Sequence, residues 1–224
     1  TKFYKISPIN GEMNGLENVT VFSGTREIFY PDERILCQKL QSSGVNVRFF
    51  IGNGLNHDYP MHNTPEGKNA VQLIMDIIAE IATAMGGNAA QVRANSKCLS
   101  ADVSAAYDPN FPDVYEHRNS ALLGCGVGMC KFTGSRGKGG TSDASAELVA
   151  WVRRCLNEAG VVWQTCELGK IDVGGGGTVA KFMANHNIDT VDLGVGVLSM
   201  HAPYEVISKA DLYMTYKAIA AFNR

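Results

Sequence analysis

Four consecutive glycines, Gly174 to Gly177, restrict what this chain can fold into more than any other feature. Each loses more backbone entropy on ordering than any other residue, so the run suits neither a helix nor a strand. It fits only where the backbone turns at positive φ or passes close to something else. The run sits in CELGKIDVGGGGTVAKFMA, and an apolar strand, TVDLGVGVL, follows and ends at Ser199-Met200-His201. A short helix expected from Thr178 would turn its free N–H groups, with those of the glycine loop, toward an anion or a carbonyl oxygen. His201 is then delivered at a strand end beside Pro203 and Glu205. A glycine loop and a histidine at strand ends, in a chain that alternates strands and helices, is the layout of an α/β active site. Taken alone, a histidine after an apolar strand is more often a packed residue than a ligand, so the chemistry has to be argued from further motifs.

The alternation begins near the N-terminus. Asn18 to Ser23 (NVTVFS) is expected as a short strand, and Asp32 to Ser42 as a helix with Ile35, Leu36 and Leu40 on one face. Gly44 stops that helix in the C′ position, and Val45 to Ile51 forms the next strand. A loop carrying His57 and His62 leads into the longest periodic segment, from about Pro65 to Met85. There Ala70, Val71, Ile74, Ile77, Ile78 and Ile81 share one stripe, continued by Ala82 and Met85. Gly86 and Gly87 end it. Further on, Lys97 to Val103 is expected as a strand bringing Asp102 near its end, and Leu122 to Thr133 as a glycine-broken strand carrying Lys131. A helix is expected from Ser142 to Gly160, with Ser142 as its N-cap. Strands at Val161 to Cys166 and Asp189 to Leu198 follow, and a helix from Ser208 to Phe222 closes the chain.

Length and composition narrow the function class. With 224 residues the chain can bury an adequate core as one domain or two, and 45% hydrophobic with 19% charged residues describes an ordinary globule. A net charge of -2 without a dense Lys/Arg cluster leaves no electrostatic footprint for nucleic acid or an acidic membrane surface. No apolar run approaches the roughly 20 residues that span a bilayer, and the opening TKFYKISPIN shows neither a signal peptide nor an initiator Met. The six cysteines form no C-x-x-C pair, which in a chain this long argues for thiols in a reducing compartment, the cytoplasm by default. Two glycine-rich look-alikes carry no nucleotide site. GSRGKGGT from Gly134 has too few residues between its glycines for a phosphate loop, and no helix is expected after Gly124 to Gly128.

Two resemblances follow from the residues. VFSGTREIFYPD (Val21 to Asp32), GVNVRFFIGNGLNHDYP (Gly44 to Pro60) and the helix after them resemble the C-terminal end of α/β-hydrolase-fold esterases and lipases, over residues 7–78. The resemblance implies that Glu27 is the acid and His57 the histidine of a catalytic triad, with Glu in place of the commoner Asp. No G-x-S-x-G elbow precedes them. Gly140-Thr141-Ser142-Asp143-Ala144 comes nearest but lies downstream and has Ala for the last Gly.

The second resemblance covers residues 79–224. SKCLSADVSAAYDPNFPDVYEHRNSALLG, KFTGSRGKGGTSDASAE, GVVWQTCELGKIDVGGGGTVAKFMA and VLSMHAPYEVISKADLYMTYKAIAAF closely resemble the C-terminal part of the catalytic domain of the aspartyl aminopeptidase family. It implies that Asp102 and His201 are metal ligands, that Lys131 lies near the substrate, and that Gly174, Gly175, Gly176 and Gly177 lie in the same active-site region. It further implies two divalent metals such as zinc, a peptide substrate with an acidic N-terminal residue, a cytoplasmic location and a homo-oligomer. In that family the first His, the bridging Asp and a Glu-Glu pair precede the S-A-D segment. Here that territory holds the esterase-like piece, which has no Glu-Glu pair.

The expected fold is therefore α/β, with a mixed, mostly parallel sheet flanked by helices, as a mosaic of two incomplete hydrolase-type pieces, 1–78 and 79–224. The expected function is a metal-dependent aminopeptidase-like hydrolase with an incomplete site. A non-catalytic folded module with vestigial sites and an esterase-like serine hydrolase are the alternatives.

Overall fold

In a computed structural model of the chain, residues 8–57, 59–135, 139–170 and 178–224 are described. The glycine run expected to shape the active site, Gly174 to Gly177, lies outside the described residues. The chain divides into two compact units, Thr1–Ala89 and Ala90–Arg224.

In the first unit, β1 (Asn18–Gly24) and β2 (Asn46–Gly52) pair in parallel, joined by helix α1 (Tyr30–Ser42). Pro31 near the start of α1 and Asp32 and Glu33 in its first turn suit a helix N-terminus, where an N–H is dispensable and negative charge is favoured. Gly44 takes φ +83° after the helix, as its expected C′ role requires. The buried stripe of α1 differs from the expected one. Leu40 is buried against Met13 and Val45 with the half-buried Leu36, and Cys37 is buried too, whereas Ile35 is 51% exposed. Leu36, Cys37 and Leu40 share a face at helical spacing, and Ile35 turns away from it.

Helix α2 (Pro65–Ala84) starts where Thr64 accepts the Gly67 N–H at 3.1 Å through Oγ1, with Pro65 in the first turn. Its interior face is Gly67, Ala70, Met75 and Ala82, while the expected stripe members Ile81 and Met85 are exposed. The boundary expected at residues 78 and 79 falls within this helix. Among the described residues no single helix is long and apolar enough to cross a membrane.

Helix α3 (Ala89–Asn95) begins at the last residue of the first unit and leads the second, where β3 (Lys97–Ser100), β4 (Ser104–Ala105) and β5 (Val127–Cys130) follow. The expected strand over Leu122 to Thr133 divides at Lys131, because β6 (Phe132–Ser135) leaves to form an antiparallel hairpin with β7 (Gly139–Asp143). Helix α4 (Ala146–Glu158) therefore begins later than expected, and its N-cap is Ser145, whose Oγ accepts the Leu148 N–H at 3.1 Å. Ser142 is not the cap. It lies in β7, buried and opposite Thr133. Then come β8 (Trp163–Thr165), α5 (Ala180–Ala184), β9 (Asp189–Gly194), β10 (Gly196–Leu198), β11 (Val206–Ile207) and α6 (Lys209–Phe222). Ser208 caps α6.

Four strands form one sheet in the order β3, β9, β5, β8, in which β3 and β9 are parallel, β9 and β5 antiparallel, and β5 and β8 parallel. A second sheet runs β11, β10, β4. The architecture is mixed α/β, as expected, but distributed over several small sheets rather than one. Its core places Leu148, Val152 and Leu156 of α4 against Val127, Met129, Val191 and Leu193 of the central strands. Each such side chain, fully withdrawn from water, contributes about 1.5–3 kcal/mol.

Candidate functional site

Two groups of polar side chains stand at strand ends, one in each unit. In the first unit the turn after β1 presents Glu27 and the loop after β2 presents His57. Those two loops are stitched together: Arg26 N–H donates to Leu55 O at 2.9 Å, and Gly54 N–H donates to Thr25 Oγ1 at 2.7 Å. Gly24 permits the approach, since a Cβ there would lie 2.2 Å from Leu55 O and 2.4 Å from Asn56 O. Glu27 has a side chain only 3% exposed, and its Oε1 accepts from Ser23 Oγ at 2.9 Å and from the Gly24 N–H at 2.8 Å. Its Oε2 lies 3.9 Å from His57 Nδ1, with the imidazole 69% exposed. The expected acid and histidine are thus neighbours, at a separation beyond hydrogen-bond reach. Glu33 approaches from α1, and burial pushes its carboxyl above the ordinary range.

In the second unit Asp102 lies in the bend between β3 and β4, past the strand end where the sequence placed it. It is exposed, and its Oδ1 accepts the Val103 N–H at 2.7 Å. The backbone at Asp102 crosses the last residue of β9 so closely that a Cβ on Gly194 would lie 1.4 Å from Asp102 O. Only glycine admits that crossing. His201 is exposed in the turn after β10, at φ +66°, and its N–H donates to Glu205 Oε1 at 2.6 Å. Ser199 in the same turn has φ +59°. Two non-glycine residues in the left-handed region hold this turn in a strained shape, a common property of site loops.

Lys131, at the junction of β5 and β6, donates to Asp143 Oδ1. Glu167, just after β8, belongs to the same charged group. Burial first, and then the Asp143 carboxylate, push its carboxyl up to about 7 against the opposing Lys131 ammonium. Asp143 and Glu167 were not singled out from the sequence. Beneath them Asp192 of β9 is buried and accepts from Thr178 Oγ1 at 2.9 Å and Thr133 Oγ1 at 3.2 Å. Burial raises its carboxyl, against the hydrogen bonds of Thr178 and Thr133. The short helix expected from Thr178 starts at Ala180 instead, and the Thr178 side chain is committed inward to Asp192.

A zinc site usually takes three or four protein ligands. Among the described residues no group of three or more His, Cys, Asp or Glu is placed to hold a metal ion, so Asp102 and His201 do not by themselves make a closed donor set.

Comparison with known proteins bears on the second unit above all. The model of the family described as Aminopeptidase I zinc metalloprotease (M18) matches residues 67–223. A probable M18 family aminopeptidase 1 of Clostridium acetobutylicum is 55% identical over 128 residues, which is 57% of this chain and 28% of that protein. The crystal structure of aminopeptidase I from the same organism covers 61% of this chain and 30% of its own, at 51% identity and a TM-score of 0.58. An M18 aminopeptidase structure from Thermotoga maritima reaches 78% of this chain and 39% of its own, at 38% identity and a TM-score of 0.65. The chain thus spans about three tenths of the curated relatives it matches. The family match starts at residue 67, inside α2. The esterase resemblance of residues 7–78 and the mosaic built on it are not shown by these matches.

Proposed function

We propose, from the premise that this chain belongs to the M18 family of zinc aminopeptidases, that it serves metal-dependent removal of N-terminal, acidic residues from peptides. The observation that carries the reading is the family match over residues 67–223, which spans Asp102, Lys131 and His201. In this reading Asp102 and His201 are metal ligands contributed by this chain. Zinc would supply the polarisation of the scissile carbonyl and of water. The Lys131 ammonium, held by Asp143, attracts and orients the substrate's acidic side chain. The Gly174 to Gly177 backbone takes the substrate's carbonyl oxygen. The protein works in the cytoplasm, where its six free thiols persist, and as a homo-oligomer.

The test is metal content of the purified, dialysed chain, with hydrolysis of N-terminal aspartyl and glutamyl peptides measured in parallel. Bound zinc and chelator-sensitive turnover are expected, both falling at least about 100-fold in Asp102→Ala and His201→Ala. A chain with neither metal nor turnover would overturn the reading.

A second reading rests on one specific observation, the buried Glu27 with its Oε2 3.9 Å from His57 Nδ1 at the ends of two parallel strands. It makes residues 1–78 an esterase-like piece, in which Glu27 orients His57 as a general base. Labelling by a fluorophosphonate probe that is lost in His57→Ala would support it, and an unlabelled chain would end it.

A further inference from the structure

The sequence offers no C-x-x-C pair, yet the fold brings together two cysteines 36 positions apart. Cys130 ends β5 and Cys166 follows β8, and these strands are parallel neighbours. The ladder continues past β8, because Cys166 N–H donates to Met129 O at 3.1 Å. The two Sγ atoms lie 3.1 Å apart, both residues are 3% exposed, and Ser104 Oγ lies 3.2 Å from one sulfur and 3.3 Å from the other. Gly128 makes the space, since a Cβ there would come within 2.7 Å of Cys166 Sγ.

We propose that Cys130 and Cys166 are a peroxide-sensitive dithiol that closes to a reversible disulfide between β5 and β8. The separation suits a disulfide better than a bridging metal. Two thiolates on one zinc at about 2.3 Å each would have to stand further apart than these, whereas a disulfide of about 2.05 Å needs them only to close up. The hydrogen bond shared by the two thiols lowers the Cys166 thiol and raises Cys130. Cys166 is therefore the sulfur that ionises first and attacks. Its thiolate takes one oxygen from hydrogen peroxide, breaking the O–O bond, and becomes a sulfenic acid with release of hydroxide. The Cys130 thiol then gives up its proton and bonds to the Cys166 sulfur, expelling that oxygen as water. Over both steps two thiols are oxidised, one peroxide is reduced, and two waters form once the hydroxide is protonated. The residues that follow the two cysteines, Lys131 and Glu167, both belong to the charged group, so the bridge forms directly beneath it. The proposal is independent of the aminopeptidase reading.

The experiment treats the folded chain, carrying Cys125→Ser to remove the exposed thiol, with excess hydrogen peroxide. Remaining thiols are then alkylated under denaturing conditions and the digest is mapped by mass spectrometry. The expected result is one crosslinked peptide joining Cys130 to Cys166, a mass lower by two hydrogens, recovery of both thiols with dithiothreitol, and continued alkylation of Cys37 and Cys98. In the further variant Cys130→Ser, a dimedone adduct should appear on Cys166. The proposal is overturned if both thiols of the Cys125→Ser chain stay alkylatable, or if Cys166 proceeds to sulfinic acid without joining Cys130.

Discussion

The two units hold their buried carboxylates in different ways. In the first, Glu27 takes its hydrogen bonds from Ser23 and Gly24, four and three positions away along the chain. In the second, Asp211 of α6, 1% exposed, accepts the N–H groups of Gly126 at 2.8 Å and Gly124 at 2.6 Å, which lie 85 and 87 positions away. Asp192 takes a hydroxyl from Thr133 across 59 positions. A locally held carboxylate forms with its own turn. One held from afar exists only when the whole unit has folded, and its removal exposes the cost of assembly rather than that of one turn.

The largest test of that difference is Asp211→Ala. It leaves the Gly124 and Gly126 N–H groups without their acceptor and deletes charge-assisted hydrogen bonds, so a loss of about 3–4 kcal/mol in urea unfolding is expected. A loss below about 1 kcal/mol would mean that the long-range ties do not hold the unit.

Glu167→Gln sharpens the comparison through pH. The folded carboxyl is raised from 4.5 to about 7, chiefly by burial. The folded state therefore binds the proton more tightly than the unfolded state does. The stability contributed by the protonated form is complete below the unfolded value of 4.5 and is lost as pH rises through about 7. Glu167 is only partly buried, so after discounting for solvent screening the change is on the order of 1–2 kcal/mol between about pH 4 and pH 8. Urea melts across that range should show it in the parent and a flatter dependence in Glu167→Gln. An equal slope in both would remove Glu167 from the charged group.

Ser23→Ala should have the smallest effect, about 1 kcal/mol, because Glu27 Oε1 keeps the Gly24 N–H. The same urea titration measures it. A loss as large as that of Asp211→Ala would erase the distinction between the units.

Much of the fold was legible in the sequence. β1, β2, α2 and α6 lie within a few residues of where periodicity and punctuation put them, with Gly44 and Ser208 in their expected terminal roles. Glu27 and His57 were named together only through the esterase resemblance, and it is the parallel pairing of β1 with β2 that brings their loops side by side. The β6–β7 hairpin was missed for a physical reason. GSRGKGGTSDAS has no apolar alternation, and Ser142 and Ser145 satisfy the same capping pattern until Ser142 is drawn into a strand opposite Thr133. The buried face of α1 was misjudged at Ile35, since Ile35 is as apolar as Leu36 and only packing in the folded unit turns one of them to solvent.

The sequence by itself determined the local order of this protein: which stretches become helix or strand, where caps and glycines end them, and which family's motifs they carry. Each of these depends on residues a few positions apart, whose energies act before distant parts of the chain meet. The tertiary structure alone decided that Cys130 meets Cys166, that Lys131 is shared with Asp143 beside Glu167, and that Asp211 secures Gly124 and Gly126. Those partners are chosen by strand order and packing in the assembled core, and no periodicity along the chain records that choice.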